Sequence, residues 1–321
     1  MNKTGLEIYV KKAAVSGSSA LGINAADGIP ASMSPEGRML HTGVHLARNG
    51  VSVTFVSEAA RDRVGDFIVD YLAAHGVATS SIDRYAGGHT PLNLNFLSDS
   101  THGVSDTVRY RVYPDDMFDA VWPRIDRDDI VVMGDYFAVA PRNIKFVREF
   151  VGSCRQRRAM VVYAPGFDIH EGKQLTPVKP SLLDNLELAD FVIATESELR
   201  DFFGSKDLDA AYRDSISFYC PDFIGLAVGD QGPCIRYYSP SGTISQSLPD
   251  ESLVTTREGN AVVIAALVRA VMEGGIGFMT LAEGLGDDDR CGLLEALDTS
   301  PTVPYPHLAL PPHRTTYPTL A

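Results

Sequence analysis

IVVM (Ile130–Met133), MVVY (Met160–Tyr163) and FVIA (Phe191–Ala194) are three short, wholly apolar runs, each separated from the next by a segment of helix length. A strand with one face in water alternates apolar and polar residues, whereas a strand buried on both faces has no polar side to show. Continuous apolar strands alternating with helices therefore predict a three-layer α/β/α body around a mainly parallel sheet. Upstream of Asp128 the rhythm differs. PLNLNFL (Pro91–Leu97) and VRYRVY (Val108–Tyr113) alternate with period two, as strands of a half-exposed sheet do. The expected organisation is a single domain over 1–321, with a small β-sheet lid drawn from within about 20–40 and 85–115. Lids of this sort exclude water during group transfer.

Other segments fit the same plan. Lys12–Ser16 leads into a glycine-containing turn, and Val51–Val56 alternates. His41–Asn49 and Arg63–His75 carry helical patterns, the second ended by Gly76. Phe223–Val228 and Cys234–Tyr238 flank the turn GDQG, which predicts a hairpin at one edge of the sheet. AVVIAALVRAVM (Ala261–Met272) is apolar nearly all round and is expected to be a buried helix. After Thr299 the chain is proline-rich and is expected to lie over the surface.

The 321 residues carry 28 basic and 41 acidic side chains, a formal charge of −13. Such a surface repels phosphodiester backbones and anionic membranes, which argues against nucleic acid and membrane as partners. A nucleotide is not excluded, because a helix N-terminus and a metal decide that locally. Cys154, Cys220, Cys234 and Cys291 are widely spaced with no CxxC pair and read as reduced thiols. No stretch reaches membrane-spanning length and MNKTGLEIYVKKAAVSG has no signal-peptide core, so a cytoplasmic location is expected.

The first turn, Gly17-Ser-Ser-Ala-Leu-Gly22, is neither a dinucleotide fingerprint nor a P-loop. HExxH, GxSxG and HRD patterns do not occur. The informative segment is Val254-Thr-Thr-Arg-Glu-Gly-Asn260, directly before the apolar helix. A loop that carries glycine into a helix N-terminus is where backbone N–H groups converge on an anion. The plainer alternative is a helix start capped by Asn260, worth about 1 kcal/mol.

Seven segments in order resemble the PfkB family of carbohydrate kinases, collinearly over about residues 12–275. Ala60-Arg-Asp-Arg-Val-Gly-Asp66 with Leu72 and Gly76-Val77 resembles the family's GxDxxGD…LxxxGV, and Leu46-Ala-Arg-Asn-Gly50 its LARLG. Thr90-Pro91 resembles the entry to a lid strand, and Met133-Gly-Asp-Tyr-Phe137 a small-residue turn near the sugar. Thr195-Glu-Ser-Glu198 stands for NxxE, Val228-Gly-Asp-Gln-Gly232 for the LGxxG nucleotide hairpin, and Val254–Asn260 for DTxGAGD. The resemblance implies a ribokinase-like fold and transfer of phosphate from ATP, with Mg²⁺, to a sugar or nucleoside hydroxyl. In that family the loop amides form an anion hole and the final Asp takes the hydroxyl proton.

The chemical positions depart from that pattern. Asn260 stands at the base, and Arg257 and Glu258 replace the first two anion-hole residues, leaving Gly259. Side chains at 257 and 258 are expected to crowd the cradle, and Glu258 to add charge of the wrong sign. The sugar-side GG…N reads Glu36-Gly37…His41, and the Asp expected after the first strand is missing, with Gly22 and Asn24 nearby. Asn93 and Asn95 share one face of the lid strand, where they bind a substrate, meet a partner lid or face water. The resemblance assigns Thr195, Gly229 and Gly232 to the nucleotide and Glu198 to metal-bound water. The expectation is thus a phosphotransferase by descent, a pseudokinase acting through ligand binding or regulation, and a homodimer through the lid. The alternatives are an active ATP-dependent kinase using Arg257 and Glu258, and a structural homodimer partner with vestigial sites. His41 and His45 have a helical spacing that can bind metal, with no third ligand in the same turn. Trp122 is expected to pack, and Asp287–Asp289 to be a solvated turn.

Overall fold

The structure is a computed structural model and describes residues 12–26, 29–97, 104–110, 122–167, 175–240 and 242–273. The proline-rich segment after Thr299, Cys291 and Asp287–Asp289 lie outside the described residues. The strands are β1 Lys12–Ser16, β2 Ala20–Ala26, β3 Ile29–Glu36, β4 Ser52–Ala60, β5 Val77–Ala78, β6 Ile82–Tyr85 and β7 Leu92–Leu97. They continue with β8 Val104–Tyr110, β9 Ile130–Gly134, β10 Met160–Ala164, β11 Phe191–Thr195, β12 Phe223–Gly229, β13 Gly232–Ser239 and β14 Gly242–Ser247. The helices are α1 Arg38–Arg48, α2 Arg63–Ala74, α3 Ile144–Gln156, α4 Leu175–Leu188, α5 Glu196–Phe203, α6 Leu208–Asp214, α7 Ser252–Thr255 and α8 Arg257–Glu273.

The large sheet runs β14-β13-β12-β11-β10-β9-β1-β4-β5, with β6 paired to β4. From β12 to β5 the pairings are parallel. The three apolar runs are β9, β10 and β11, and every residue of each is buried. Side chains at alternate positions feed two cores. On one face Val15, Phe55, Val132 and Ile193 pack with α1 and α8, through residues such as Leu40, Val44, Ile264 and Leu267. On the other Ala14, Val131, Met133 and Val161 meet α3 to α6, through Val147, Leu182, Leu199 and Leu208. Burying a Val, Leu or Ile side chain contributes about 1.5–3 kcal/mol, so the two faces hold the body together independently of its strand ends.

A separate sheet, ordered β3-β2-β7-β8, contains the early alternating segments. Its strands lie within residues 20–36 and 92–110, and residues 111–113 of the second alternating run lie outside the described residues. Two boundaries move. The first helix begins three residues before His41, at Arg38, because Arg38 is itself buried. The expected edge hairpin β12–β13 forms, but β14 pairs outside it and is the edge. No helix among the described residues is long and apolar enough to cross a membrane. Trp122 packs as expected, stacked on Phe150 with ring centroids 4.1 Å apart.

Asp62 joins the body to the small sheet. It caps α2 by accepting the Gly65 N–H at 2.8 Å. It also accepts the Thr90 hydroxyl at 2.8 Å and the Thr90 N–H at 3.0 Å, just before β7. Thr90 is fully buried, and its hydroxyl oxygen accepts the Ala60 N–H at 2.9 Å. Asp62→Ala leaves both Thr90 donors and the helix start without partners, an expected loss of about 3 kcal/mol in urea unfolding. Asp62→Asn, which still caps, is expected to lose less than half of that. Equal effects of the two variants would contradict this account.

Candidate functional site

The parallel strands change direction of progression between β1 and β9, since the chain leaves β1 for β4 on one side and continues from β9 to β12 on the other. In open α/β sheets, ligands bind outside the carboxyl ends of strands at such a switch point. There the chain places Gly17 after β1, Asp135 after β9, Gly166 after β10 and the start of α5 after β11. Arg38 reaches these strand ends from the first turn of α1. Its side chain is 2% exposed. Nη1 donates to Glu198 Oε1 at 2.9 Å, Nη2 donates to the Ala164 carbonyl at 2.7 Å, and Nε lies 3.8 Å from Asp135 Oδ1.

The neighbours are shaped around this guanidinium. Gly166 has φ 52, and a Cβ there would run into the Arg38 head group. Asp135 is held at φ 55, a conformation that costs a non-glycine residue about 1–3 kcal/mol. Its Oδ2 accepts the Met39 N–H at 3.3 Å. Glu198 and Thr195 form a reciprocal capping box at α5: Oε2 of Glu198 accepts the Thr195 N–H at 3.0 Å, and the Thr195 hydroxyl oxygen accepts the Glu198 N–H at 3.2 Å. Both carboxylate oxygens of Glu198 are thereby engaged, one by a backbone amide and one by a cation. A divalent ion needs several free oxygen donors, so this donor set does not fit one. Among the described residues, no three His, Cys, Asp or Glu side chains converge as a metal site, the His41–His45 pair included.

The start of α8 is closed from within. Its cap is Thr256, not Asn260: the Thr256 hydroxyl oxygen accepts the Gly259 N–H at 2.9 Å while its hydrogen goes to the Ser252 carbonyl at 2.8 Å. Gly259 packs so closely on α7 that a Cβ would strike the Ser252 carbonyl. Asn260 is buried, and its amide nitrogen donates to the carbonyls of Leu253 at 3.0 Å and Val254 at 2.9 Å. Two carbonyl partners fix the amide orientation, because only nitrogen can donate to both. Arg257 and Glu258 are exposed. Crowding was expected from these two side chains; the Gly259 amide is instead engaged by the Thr256 hydroxyl.

The sugar-side residues fall on α1 and the small sheet. Gly37 precedes α1 with φ 141. His41 is buried in α1 and hydrogen-bonded to the Pro35 carbonyl; burial pushes its pKa down, against the charge of Glu258. His45 is pushed down to about 4 by burial and by the charges of His41 and Arg48. Asn93 donates to Glu36 Oε2 at 2.7 Å, across Gly22 of the intervening strand. Asn24 and Asn95 are register partners on β2 and β7. Gly229 and Gly232 pair at the tip of the β12–β13 hairpin, where Gly232 has φ 106.

Two residues escaped the sequence reading. Arg38 had one local signal, a cation in the first turn of a helix, where the macrodipole disfavours it. Glu58, at the end of β4, is 3% exposed and forms a two-pronged ion pair with Arg142. The Ser19 hydroxyl donates to the Glu58 backbone carbonyl at 3.4 Å, which ties the pair to the turn after β1.

A sequence model described as the pfkB family carbohydrate kinase matches residues 42–216, more than half of the chain. A 5-dehydro-2-deoxygluconokinase of Clostridium botulinum is 33% identical over 75 residues, 23% of this chain and only 22% of the relative's own length. Among solved structures, the aminoimidazole riboside kinase of Salmonella enterica, complexed with aminoimidazole riboside and an ATP analog, superposes with a TM-score of 0.68 at 16% identity. That match covers 90% of this chain and 96% of the kinase. A fructokinase of Vibrio cholerae O395, in its fructose, ADP and potassium ion bound form, gives 0.71 at 13% identity, covering 90% and 89%. These structural likenesses establish a shared fold.

Burial pushes the Glu58 carboxyl up to about 7, despite Arg142, which pulls the other way. An unfolded Glu titrates near about 4.3. Between those values the folded chain holds the proton more tightly, so stability falls as pH rises through the window and levels off above about 7. Urea unfolding of wild type and Glu58→Gln from about pH 5 to 8 tests this. The wild type is expected to lose stability relative to the variant as pH rises to 7; a pH-independent difference would refute the assignment.

Proposed function

Because this chain belongs to the pfkB family of carbohydrate kinases, we propose that it binds a sugar or nucleoside at the strand-end crevice and transfers phosphate from ATP to it slowly or not at all. The observation that carries the reading is Asn260, whose amide is held by two carbonyls of α7 at the position the family gives its base. An amide there accepts no proton, and loss of a general base costs about 10²–10⁴ in rate. The Gly259 N–H, which would meet a phosphoryl oxygen, is engaged by Thr256; losing one such donor costs about another 10²–10³. These effects are not additive, but together they take a turnover of about 1–100 per second far below use.

The small sheet is the lid of this reading. Asn93, hydrogen-bonded to Glu36, gives it a polar group suited to a polyol, and Asn24 and Asn95 stand at paired register positions on β2 and β7. Two copies pair lid to lid, since β3 and β8 are the edge strands of this sheet among the described residues and Met33 on β3 is 56% exposed. The reading of an active kinase draws on one observation, the exposure of Arg257 and Glu258 beside the helix start. ATP is then the phosphoryl donor, as the family implies.

A coupled phosphoryl-transfer assay with hexoses, pentoses and nucleosides separates the two readings. Turnover is expected at least about 100-fold below 1 per second; a substrate turned over near 1 per second would make the active reading correct. Asn260→Asp is expected to restore little, because a carboxylate facing the Leu253 and Val254 carbonyls costs about 1–3 kcal/mol and Thr256 still closes the helix start. Calorimetry with a sugar panel, with and without ATP, distinguishes binding from vestigial sites. For the dimer, light scattering that reports a concentration-independent monomer would overturn the lid pairing.

A further inference from the structure

Three oxygen-bearing groups converge on Arg38 from three different strand ends: the Glu198 carboxylate, the Ala164 carbonyl and the Asp135 carboxylate. Carboxylates and carbonyls gathered from separate elements are what a hard divalent cation requires. Here their common centre is a guanidinium, which is covalently part of the chain and cannot exchange with solvent. The fit is constructed rather than incidental. Gly166 lacks the Cβ that would displace the head group, and Asp135 holds a strained backbone to keep its carboxylate nearby.

We propose that Arg38 is a built-in cation standing where a divalent metal ion would otherwise be held, so that ligand binding in the crevice is independent of metal. This rests on the reading that the crevice binds a ligand without efficient transfer, and it adds the reason a metal plays no part there. Arg38 is a positioning residue in this scheme. It fixes the ends of β9, β10 and β11 relative to α1, a task that a bound ion would perform only when present.

Titration of the purified protein with Mn²⁺, following free ion by electron paramagnetic resonance, tests the proposal without any organic ligand. Wild type is expected to show no Glu198-dependent site tighter than about 1 mM. Arg38→Met uncovers the two carboxylates and the carbonyl, and is expected to bind one Mn²⁺ at least about tenfold more tightly than wild type. Adding Glu198→Gln to that variant is expected to abolish the gain. A wild-type site that Glu198→Gln removes would overturn the proposal, as would a folded Arg38→Met variant that gains none. Should Arg38→Met not fold, the comparison of wild type with Glu198→Gln still decides, and an unchanged melting temperature in Mg²⁺ and in EDTA is expected beside it. Turnover near 1 per second with no Mn²⁺ site would sink the reading of slow transfer and leave this proposal standing.

Discussion

Placing a guanidinium in a protein interior costs several kcal/mol unless its charge and donors are answered on the spot. At Arg38 the charge is answered by Asp135 and Glu198, and two of the three nitrogens by Glu198 and the Ala164 carbonyl, while Nε has no hydrogen-bond partner. These partners lie 97, 126 and 160 positions away in sequence, at the ends of β9 and β10 and the start of α5. That requirement couples local features that have no reason to occur together. It explains a carboxylate at the positive-φ position 135, a residue without Cβ at 166, and a helix beginning at Arg38 itself. It also explains why the Thr195–Glu198 capping box matters beyond α5, since the box holds one oxygen of Glu198 and thereby aims the other at Arg38. Removing the cation would take from both carboxylates the charge that now balances them.

The body of the fold was legible because burial on two faces leaves a mark in contiguous sequence. IVVM, MVVY and FVIA have no polar residue, and each became a fully buried strand. The site was legible only where a residue type is itself chemically decisive. Asn260 is chemically decisive in this sense, because an amide accepts no proton whatever surrounds it. Its partners do not declare themselves, because the Leu253 and Val254 carbonyls are present in any sequence and become acceptors only when α7 turns back over α8. Thr256 was hidden by Asn260 for a related reason. Both are good capping residues, and only the register of the helix start decides between them. Arg38 and Glu58 are the opposite case, since their roles depend on partners far along the chain, where no local pattern reaches.

Independence of the scaffold from the polar groups at the strand ends follows from where the two cores lie. Val15, Phe55, Ile193 and Leu267 on one face, and Val131, Val161, Leu182 and Leu199 on the other, are packed along the lengths of the strands. None of this burial depends on which polar groups stand at the carboxyl ends. Substitutions there are therefore tested against local satisfaction of hydrogen bonds and charge, not against the stability of the sheet.

Local satisfaction is what most of the candidate polar groups display. Asn260 is answered by α7, the Gly259 amide by Thr256, Glu198 by Arg38 and Thr195, and Asn93 by Glu36. A site organised to stabilise a transferring phosphoryl group works by leaving donors and a base preorganised toward a position that is filled only during reaction. Each internal hydrogen bond of the present kind must be broken before a ligand can use the same group, and breaking it returns a buried polar atom to an unsatisfied state costing about 1–3 kcal/mol. Groups already satisfied by their own chain can still shape a crevice and orient a bound polyol from its walls. On the reading proposed above, what they give up is differential stabilisation of a charge that develops, and catalysis depends on that difference.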